Sequence, residues 1–466
     1  MTEKKTEKKL PLKPTLAYGL GNFSDYLSKY FFDFLIFTFY FTILRLNINW
    51  ITILFIFWSI WNAINDPLIG ILSDRTKSKW GRRKPYIVFS LPFLCLILVL
   101  LWTPPTGTEL STLIYFLVIV IAYDTFFTMY DINQLALFPE IFPDVETRKK
   151  GNLILQLFLV GALIFAFIAP SFFIPEYTNQ TYQVNYVYAG IFMAIVVLIA
   201  GIVFIRFGLK ERKEYSQDAH SAPKIFDALK YTMKSKSFMI YIVVNFALFY
   251  TAAMISSLTP LYGEYVLGID RSLFISLLLA STFISQAFFL PLWSKTYEKL
   301  GSKKGAMIAL GSWIVLLSPL FFISGFLWGL ISFILIGMGL SGTSYFQKIL
   351  LSEIVDFDEL ETGIRREGSF WGTKQFFIRL STILQYASIG LVFNTVGWEI
   401  FDPLGTTTDT ILGLRMLMFI FPAIVLGIAI IALIKYPITK ELYEEKFKEI
   451  DDLHKKKKKN LERSLK

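Results

Sequence analysis

The stretch SIWNAINDPLIGILSDRTKSKWGRRKPY, Ser59 to Tyr86, decides how the chain is read, because it joins two opposite physical demands. Its first half is an apolar helix in which Asn62, Asn65 and Asp66 fall at i, i+3 and i+4, so the three side chains share one helix face. Its second half is a hairpin packed with Lys and Arg. A carboxylate at the centre of an apolar span costs ~2.5–3.5 kcal/mol on insertion scales and by default marks a functional site. Pro67 removes a backbone N–H and leaves the Ala63 carbonyl without its helical partner. One carboxylate, two amide oxygens and a freed carbonyl suit a hard monovalent cation or a proton. The plainer reading is an Asp that hydrogen-bonds neighbouring helices beside a kink.

The rest of the chain supplies the lipid context. Of 466 residues, 54% are hydrophobic and 17% aromatic, and the mean hydropathy is +0.53, which describes a polytopic membrane protein. Apolar runs long enough for a bilayer fall near 15–44, 49–73, 85–103, 111–137, 151–174, 187–206, 238–266, 273–293, 305–324, 326–350, 369–397 and 411–434. The expectation is an all-α membrane protein of twelve transmembrane helices, with Gly325 marking the break between spans nine and ten.

Charge tests that count. Connections 2–3, 4–5, 6–7 and 8–9 are rich in Lys and Arg, whereas Arg45 and Arg271 are the only ones in the intervening connections. The alternation predicts two cytoplasmic termini. The net charge of +10 thus reports topology, and no nucleic-acid signal accompanies it. Residues 207–237 form a long charged connection, which divides the chain into an N-terminal six-helix bundle (1–206), a cytoplasmic central loop (207–237), a C-terminal six-helix bundle (238–434) and a cytoplasmic basic tail (435–466). A weak internal repeat agrees: GILSDRTKSKWGRRK resembles LPLWSKTYEKLGSKK, with Gly81 and Gly301 at matching places. Two pseudo-repeated halves around a substrate path is the geometry of many secondary transporters. The tail reads as a solvated helix followed by a basic run that suits anionic lipid headgroups.

Other ionisable residues lie inside the spans. Span four carries Asp124, Thr128 and Asp131 on one face, and carboxylates of this kind accept paired hydrogen bonds from sugar hydroxyls. Span one has Asp25, Lys29 and Asp33 at intervals of four, and span eleven has Lys374 and Arg379. An isolated Arg at that depth would be expensive, so Arg379 is expected to face the carboxylates of spans one, two or four. Trp58, Trp61, Tyr250 and Trp371 are candidates for stacking on sugar rings. His220 and His454 stand alone in polar segments and Cys95 is the only cysteine, which argues against a histidine metal site and against an intrachain disulfide. The absence of an HExxH, of a phosphate-cradling glycine loop and of a Ser–His pair argues against an enzyme.

WNAINDPLIGILSDRTKSKWGRRKPY resembles the helix-two and loop signature of the glycoside–pentoside–hexuronide:cation symporters, the melibiose-permease-like branch of the major facilitator superfamily. YDINQLALFPEIFPDVETRKKG, the central KERKEY and KSKSFMIYIV segments, and VDFDELETGIRREGSFWGTKQFFIRL agree, so the resemblance runs from about Tyr18 to the end of span twelve. It implies a cation site of Asn65 and Asp66 with Thr128, a sugar-binding carboxylate at Asp131 and the helix-eleven cation at Arg379. It also implies a conformational latch between the two halves at Asp74, Arg75, Gly81, Arg82 and Arg83. Where the melibiose-permease-like pattern has a second helix-two acid, this chain has Asn62, which weakens the case for Na⁺. The helix-one sugar-binding Asp aligns with Tyr26, one residue after Asp25, leaving both as candidates. Leu135 and Gln156 replace a Trp and an Arg of the pattern.

The expected function is secondary active transport of a sugar or glycoside by alternating access, coupled to H⁺ or Na⁺ through Asp66. An uncoupled sugar facilitator and a carrier of another amphiphilic or lipid-like solute are the alternatives. The coupling ion is the sole cofactor expected, with no metal beyond Na⁺ at Asp66. The partners are a small-molecule sugar and the lipid bilayer, and the setting is a monomer in the plasma membrane.

Overall fold

The computed structural model describes residues 12–76, 78–105, 107–142, 145–209, 211, 230–364 and 366–464. Most of the central connection expected at 207–237 therefore lies outside the described residues.

The first half contains α1 (Leu12–Thr38), α2 (Ile48–Arg75), α3 (Lys84–Leu100), α4 (Glu109–Ala136), α5 (Val145–Ile168) and α6 (Gln183–Val203). The second contains α7 (Lys236–Tyr265), α8 (Ser272–Phe288), α9 (Leu290–Leu317), α10 (Phe326–Thr362), α11 (Glu367–Thr395) and α12 (Thr408–Ile434), followed by the tail helix α13 (Lys440–Ser464). Local chemistry sets many of the ends. The Asn47, Thr108 and Ser235 side chains accept backbone N–H bonds at the starts of α2, α4 and α7, and Gly363 ends α10 in the left-handed conformation.

Nine of the described helices are long and apolar enough to cross a membrane, while α3 and α8 are apolar but shorter. At 17 residues each, α3 and α8 reach roughly 26 Å, a little under a hydrocarbon core of about 30 Å. The third category is α1, whose 27 residues include Lys13, Asp25, Lys29 and Asp33. Span eight was expected to run to 293, but α8 stops at Phe288 and a new helix begins at Leu290, with Pro291 in its first turn. That helix breaks again at Gly301 (φ 73°) before entering its span. Gly325 (φ 81°) caps α10, where the sequence placed the boundary.

Within the first half α1 packs on α5 and α6, and α2 and α3 pack on α4; within the second, α10 packs on α8 and α9, and α7 on α11 and α12. The halves meet along α2–α11, α5–α8 and α1–α7. At the end opposite the basic connections they are sealed. The Asn47 amide donates to Glu399 at 2.7 Å, and Asn49 and Asn394 donate to one another at 3.1 and 2.7 Å. Ser272 donates its N–H to the Pro175 carbonyl at 2.9 Å, and the Tyr177 and Ser276 hydroxyls are 2.7 Å apart. Below this seam Phe55 stacks on Tyr386 at 3.7 Å, and Tyr30 and Phe167 meet Phe283. Among the described residues, no hydrogen bond, ion pair or ring contact joins the halves on the basic side of Asp66. Polar and ring contacts between the halves are thus concentrated, among the described residues, at the end opposite the basic connections.

The tail is not wholly free. Lys440 donates to the Glu298 carbonyl at 2.7 Å, Lys303 to the Tyr436 carbonyl at 2.7 Å, and the Tyr443 hydroxyl to Asp356 at 3.2 Å, so the start of α13 is tied to α9 and α10.

Candidate transport site

Asp66 and Arg379 join the two halves. The Arg379 guanidinium of α11 donates to Asp66 Oδ2 of α2 at 2.7 Å, and the Thr128 hydroxyl of α4 donates to Asp66 Oδ1 at 3.1 Å. Asp124 and Asp131 also lie within electrostatic reach of Arg379. The guanidinium thus faces carboxylates of α2 and α4, as the cost of an isolated charge in a span requires.

Asn62 and Asn65 behave differently from the expectation. Their amides turn to α4 and donate to Asp124: Asn62 to Oδ1, and Asn65 to Oδ2 at 3.0 Å and to the backbone carbonyl at 3.2 Å. Asp124 is 1% exposed, and an apolar wall leaves such a carboxylate dependent on these donors. The face of α2 therefore serves two carboxylates, Asp124 through the amides and Asp66 through its own position. The spacing in sequence places the three side chains on one face but does not choose between neighbours on α4 and α11. The amide oxygens Asn62 Oδ1 and Asn65 Oδ1 are buried without a partner.

On α1, Asp25 is 3% exposed and lies within hydrogen-bonding reach of Asp131 on α4. Tyr26 instead stacks on Tyr30, with ring centroids 6.1 Å apart. Of the two helix-one candidates, Asp25 is the one set beside the α4 acids. Lys29 pairs with Asp33 at 2.5 Å along the same helix.

Lys374, 5% exposed, points its ammonium at the Trp371 ring, 4.1 Å from the centroid, and the neighbouring charge that acts on it is Lys348 of α10.

The loop residues gather at the basic end. Arg82 bonds Glu140 at 3.2 Å and lies 4.0 Å from Asp74, and Arg83 lies 3.0 Å from Glu140 and 3.8 Å from Asp74. Glu211, just past α6, accepts the backbone N–H groups of Arg82 at 2.7 Å and Arg83 at 3.3 Å. An anion at the free N–H groups of a helix start is favourable, and here they open α3. Gly81 (φ 107°) is held against Glu211 so closely that a Cβ would collide with the carboxylate. The second half repeats the device with inverted charge: at Gly301 a Cβ would stand 2.6 Å from Lys440, whose ammonium caps carbonyls. Arg75, in the last turn of α2, is exposed and stands outside the cluster. The cluster was expected to bridge the halves, yet Asp74, Arg82, Arg83 and Glu140 belong to the first half and Glu211 to the central connection, so the contacts described tie that connection to the first half. Glu140 and Glu211 went unassigned in the sequence reading. They sit in FPEIFPD and KERKEY, but their partners are 58 and 129 positions away.

Two helical halves closed at one end, with a charged pair between them inside the apolar zone, define a membrane transporter. The chain matches the MFS/sugar transport protein family over residues 17–440, and it belongs to that family. It is 24% identical over 447 residues to the isoprimeverose transporter of Lactiplantibacillus pentosus, covering 92% of this chain and 90% of that one. Among solved structures it superposes on a nucleoside transporter with a TM-score of 0.68 (14% identity, 91% and 100% covered). It also superposes on a D-xylose-proton symporter with a TM-score of 0.66 (12% identity, 92% and 99% covered). The fold is that of the major facilitator superfamily, and the protein is a transporter and not an enzyme.

Proposed function

We propose that the protein carries a sugar or glycoside across the plasma membrane by alternating access, coupled to protons through Asp66, and acts as a monomer. The observation that carries this reading is the Asp66–Arg379 bond between the halves. A proton on Asp66 removes the charge that holds Arg379, and Asp131 and Asp124 stand within reach to receive it. Occupancy of Asp66 would thereby be converted into a change in the contact between α2 and α11. A bound Na⁺ would have to displace Arg379 from Asp66, whereas a proton needs only to neutralise the carboxylate; the Asn62 and Asn65 amide nitrogens are held by Asp124 and their oxygens are unpartnered. Two carboxyl groups side by side, Asp25 and Asp131, are likewise relieved by sharing a proton.

The positive-inside rule puts the basic connections and both termini in the cytoplasm. The seam of Asn47, Asn49, Asn394 and Glu399 is then the closed outer gate, and the solute leaves toward the cytoplasm. The units that rock are 1–206 and 238–434, tied by the segment 207–237 and followed by the tail 435–466. Asp25, Asp131 and Tyr26 would meet sugar hydroxyls or the ring.

Uptake of labelled sugars into proteoliposomes under an imposed pH gradient, against an imposed Na⁺ gradient, tests the proposal. Accumulation should follow the pH gradient and vanish in Asp66→Asn. Accumulation that follows Na⁺ at constant pH, or persists in Asp66→Asn, would overturn it.

A further inference from the structure

Away from the path between the halves, a groove runs along the outside of the first half. It encloses about 440 Å³ and is lined by α3 and by α6 with the turn that follows it, including Val88 and Pro92 on the first and Leu198 and Ile202 on the second. Lys84 and Arg206 line it at its basic end. The packing of the two helices sets one limit of the groove. Gly201 lets α6 approach α3 so closely that a Cβ there would stand 2.6 Å from Leu91. Beyond that contact α6 ends in a π-helical turn, Phe204–Gly208. Phe204 turns inward and meets the Tyr18 ring edge-on at 5.6 Å, while Arg206, two positions on, is exposed.

The outer faces of both helices are apolar. Phe89, Leu96, Ile195 and Ile199 are each about half exposed, and so is Ile202 in the groove itself, so the slot opens to the hydrocarbon of a bilayer. The side chains of Lys84 and Arg206 form no ion pair or hydrogen bond among the described residues. The carboxylate nearby is engaged: Glu211 accepts the backbone N–H groups of Arg82 at 2.7 Å, Arg83 at 3.3 Å and Lys84 at 3.4 Å. The positive-inside rule puts this end at the cytoplasmic leaflet, where anionic lipids give the surface a negative potential. An apolar slot that ends at headgroup level in two unpartnered cations complements a molecule with an apolar chain and an anionic head.

We propose that the groove between α3 and α6 binds an anionic phospholipid of the cytoplasmic leaflet, its phosphate held by Lys84 and Arg206 and an acyl chain lying along Val88, Pro92, Leu198 and Ile202. A guanidinium takes a phosphate through two parallel N–H bonds, and the ammonium adds a point charge. The lipid is a resident of the protein and not its solute, since α2 and α11, which carry Asp66 and Arg379, do not line the groove. Because the Lys84 N–H shares Glu211 with Arg82 and Arg83, a lipid here braces the joint between the start of α3 and the connection that leaves α6.

The test titrates the purified full chain in detergent micelles with phosphatidylglycerol, with phosphatidylcholine of the same acyl chains, or with sodium phosphate, and follows the melting temperature. A ligand of the folded state raises that temperature in proportion to its occupancy. Phosphatidylglycerol should act at a concentration about tenfold or more below that of phosphatidylcholine, as two cations near a membrane surface imply. Lys84→Gln with Arg206→Gln should remove this preference. Lys79→Gln, at an exposed cation of the same loop that does not line the groove, should keep it. Ile202→Trp, at a half-exposed position where folding is not at risk, fills the slot with both charges in place and should weaken the phosphatidylglycerol effect as well. Equal action of the two lipids, or a preference that survives the double variant, would overturn the proposal. A preference untouched by Ile202→Trp would reduce it to surface attraction, and an equal effect of sodium phosphate would assign the cations to a free anion; either result overturns the lipid site.

Discussion

The Arg379 guanidinium donates to Asp66 across 313 positions of sequence and joins α11 to α2. Above it lie the ring stacks and amide bonds of the closed seam. Below it, among the described residues, no such contact joins the halves. The pair is about one-fifth exposed on each side, 21% for Arg379 and 19% for Asp66, so protons can reach it.

Removal of one partner leaves the other charged in a mostly apolar setting. Asp66→Asn and Arg379→Gln should each lower stability by roughly 1–3 kcal/mol, less than the 3–5 kcal/mol typical of a fully buried pair. The double variant should recover much of the loss, because neither charge is then left alone. Thermal melting of the four purified proteins measures the coupling, and strictly additive losses would contradict it.

The seam should behave as a gate that must open in each cycle. Asn49 and Asn394 exchange amide hydrogen bonds at 2.7 and 3.1 Å, so Asn49→Cys with Asn394→Cys places two thiols within reach of a short cleavable cross-linker. Cys95→Ser removes the one native thiol. Cross-linking should stop transport and cleavage should restore it. Undiminished transport by fully cross-linked protein would show that this end need not open.

Gly81 and Gly427 make a matched contrast. Gly81 has a φ of 107° and lies against Glu211, whereas a Cβ on Gly427, inside α12, meets nothing within 4 Å. Gly81→Ala should cost about 1–2 kcal/mol from backbone strain alone and slow uptake by disturbing the Arg82–Glu140 cluster. Gly427→Ala should be neutral or stabilising by roughly 0.5–1 kcal/mol, as for any glycine in a helix interior. Melting and initial uptake rates of both variants decide it.

Asp131→Asn separates a sugar-binding role from a proton-sharing one. With Asp25 left beside an amide, uptake should change less steeply with external pH than in the native protein, besides falling in rate. A pH profile that keeps its shape while only the rate drops would assign Asp131 to sugar alone.

Much of this arrangement was legible in the stretch from Ser59 to Tyr86. Helical spacing placed Asn62, Asn65 and Asp66 on one face, the cost of a buried charge directed Arg379 toward the carboxylates, and the loop repeat marked the positive-φ positions Gly81 and Gly301. What spacing could not supply was the choice of partner. That Asn62 and Asn65 serve Asp124, leaving Asp66 to Arg379 and Thr128, depends on how α4 and α11 are rotated against α2. Helix length was misjudged at α8 for a similar reason, since its apolar pattern continues past Phe288 although the backbone turns there. Glu140 and Glu211 were hidden because each is an ordinary acid in a polar segment until the fold brings it to Arg82. The isolation of Lys374 is a property of its neighbours and leaves no mark on its own surroundings in sequence.

The most direct measurement of the coupling is made on de-energised, right-side-out vesicles containing the protein, with the external pH followed as a sugar taken up in the proteoliposome assay is added. If a proton on Asp66 releases Arg379 for transport, the transported sugar should carry protons inward: the external medium turns alkaline on its addition, without Na⁺, and Asp66→Asn abolishes the change. Sugar entry with no alkalinisation, or alkalinisation undiminished in Asp66→Asn, would contradict it.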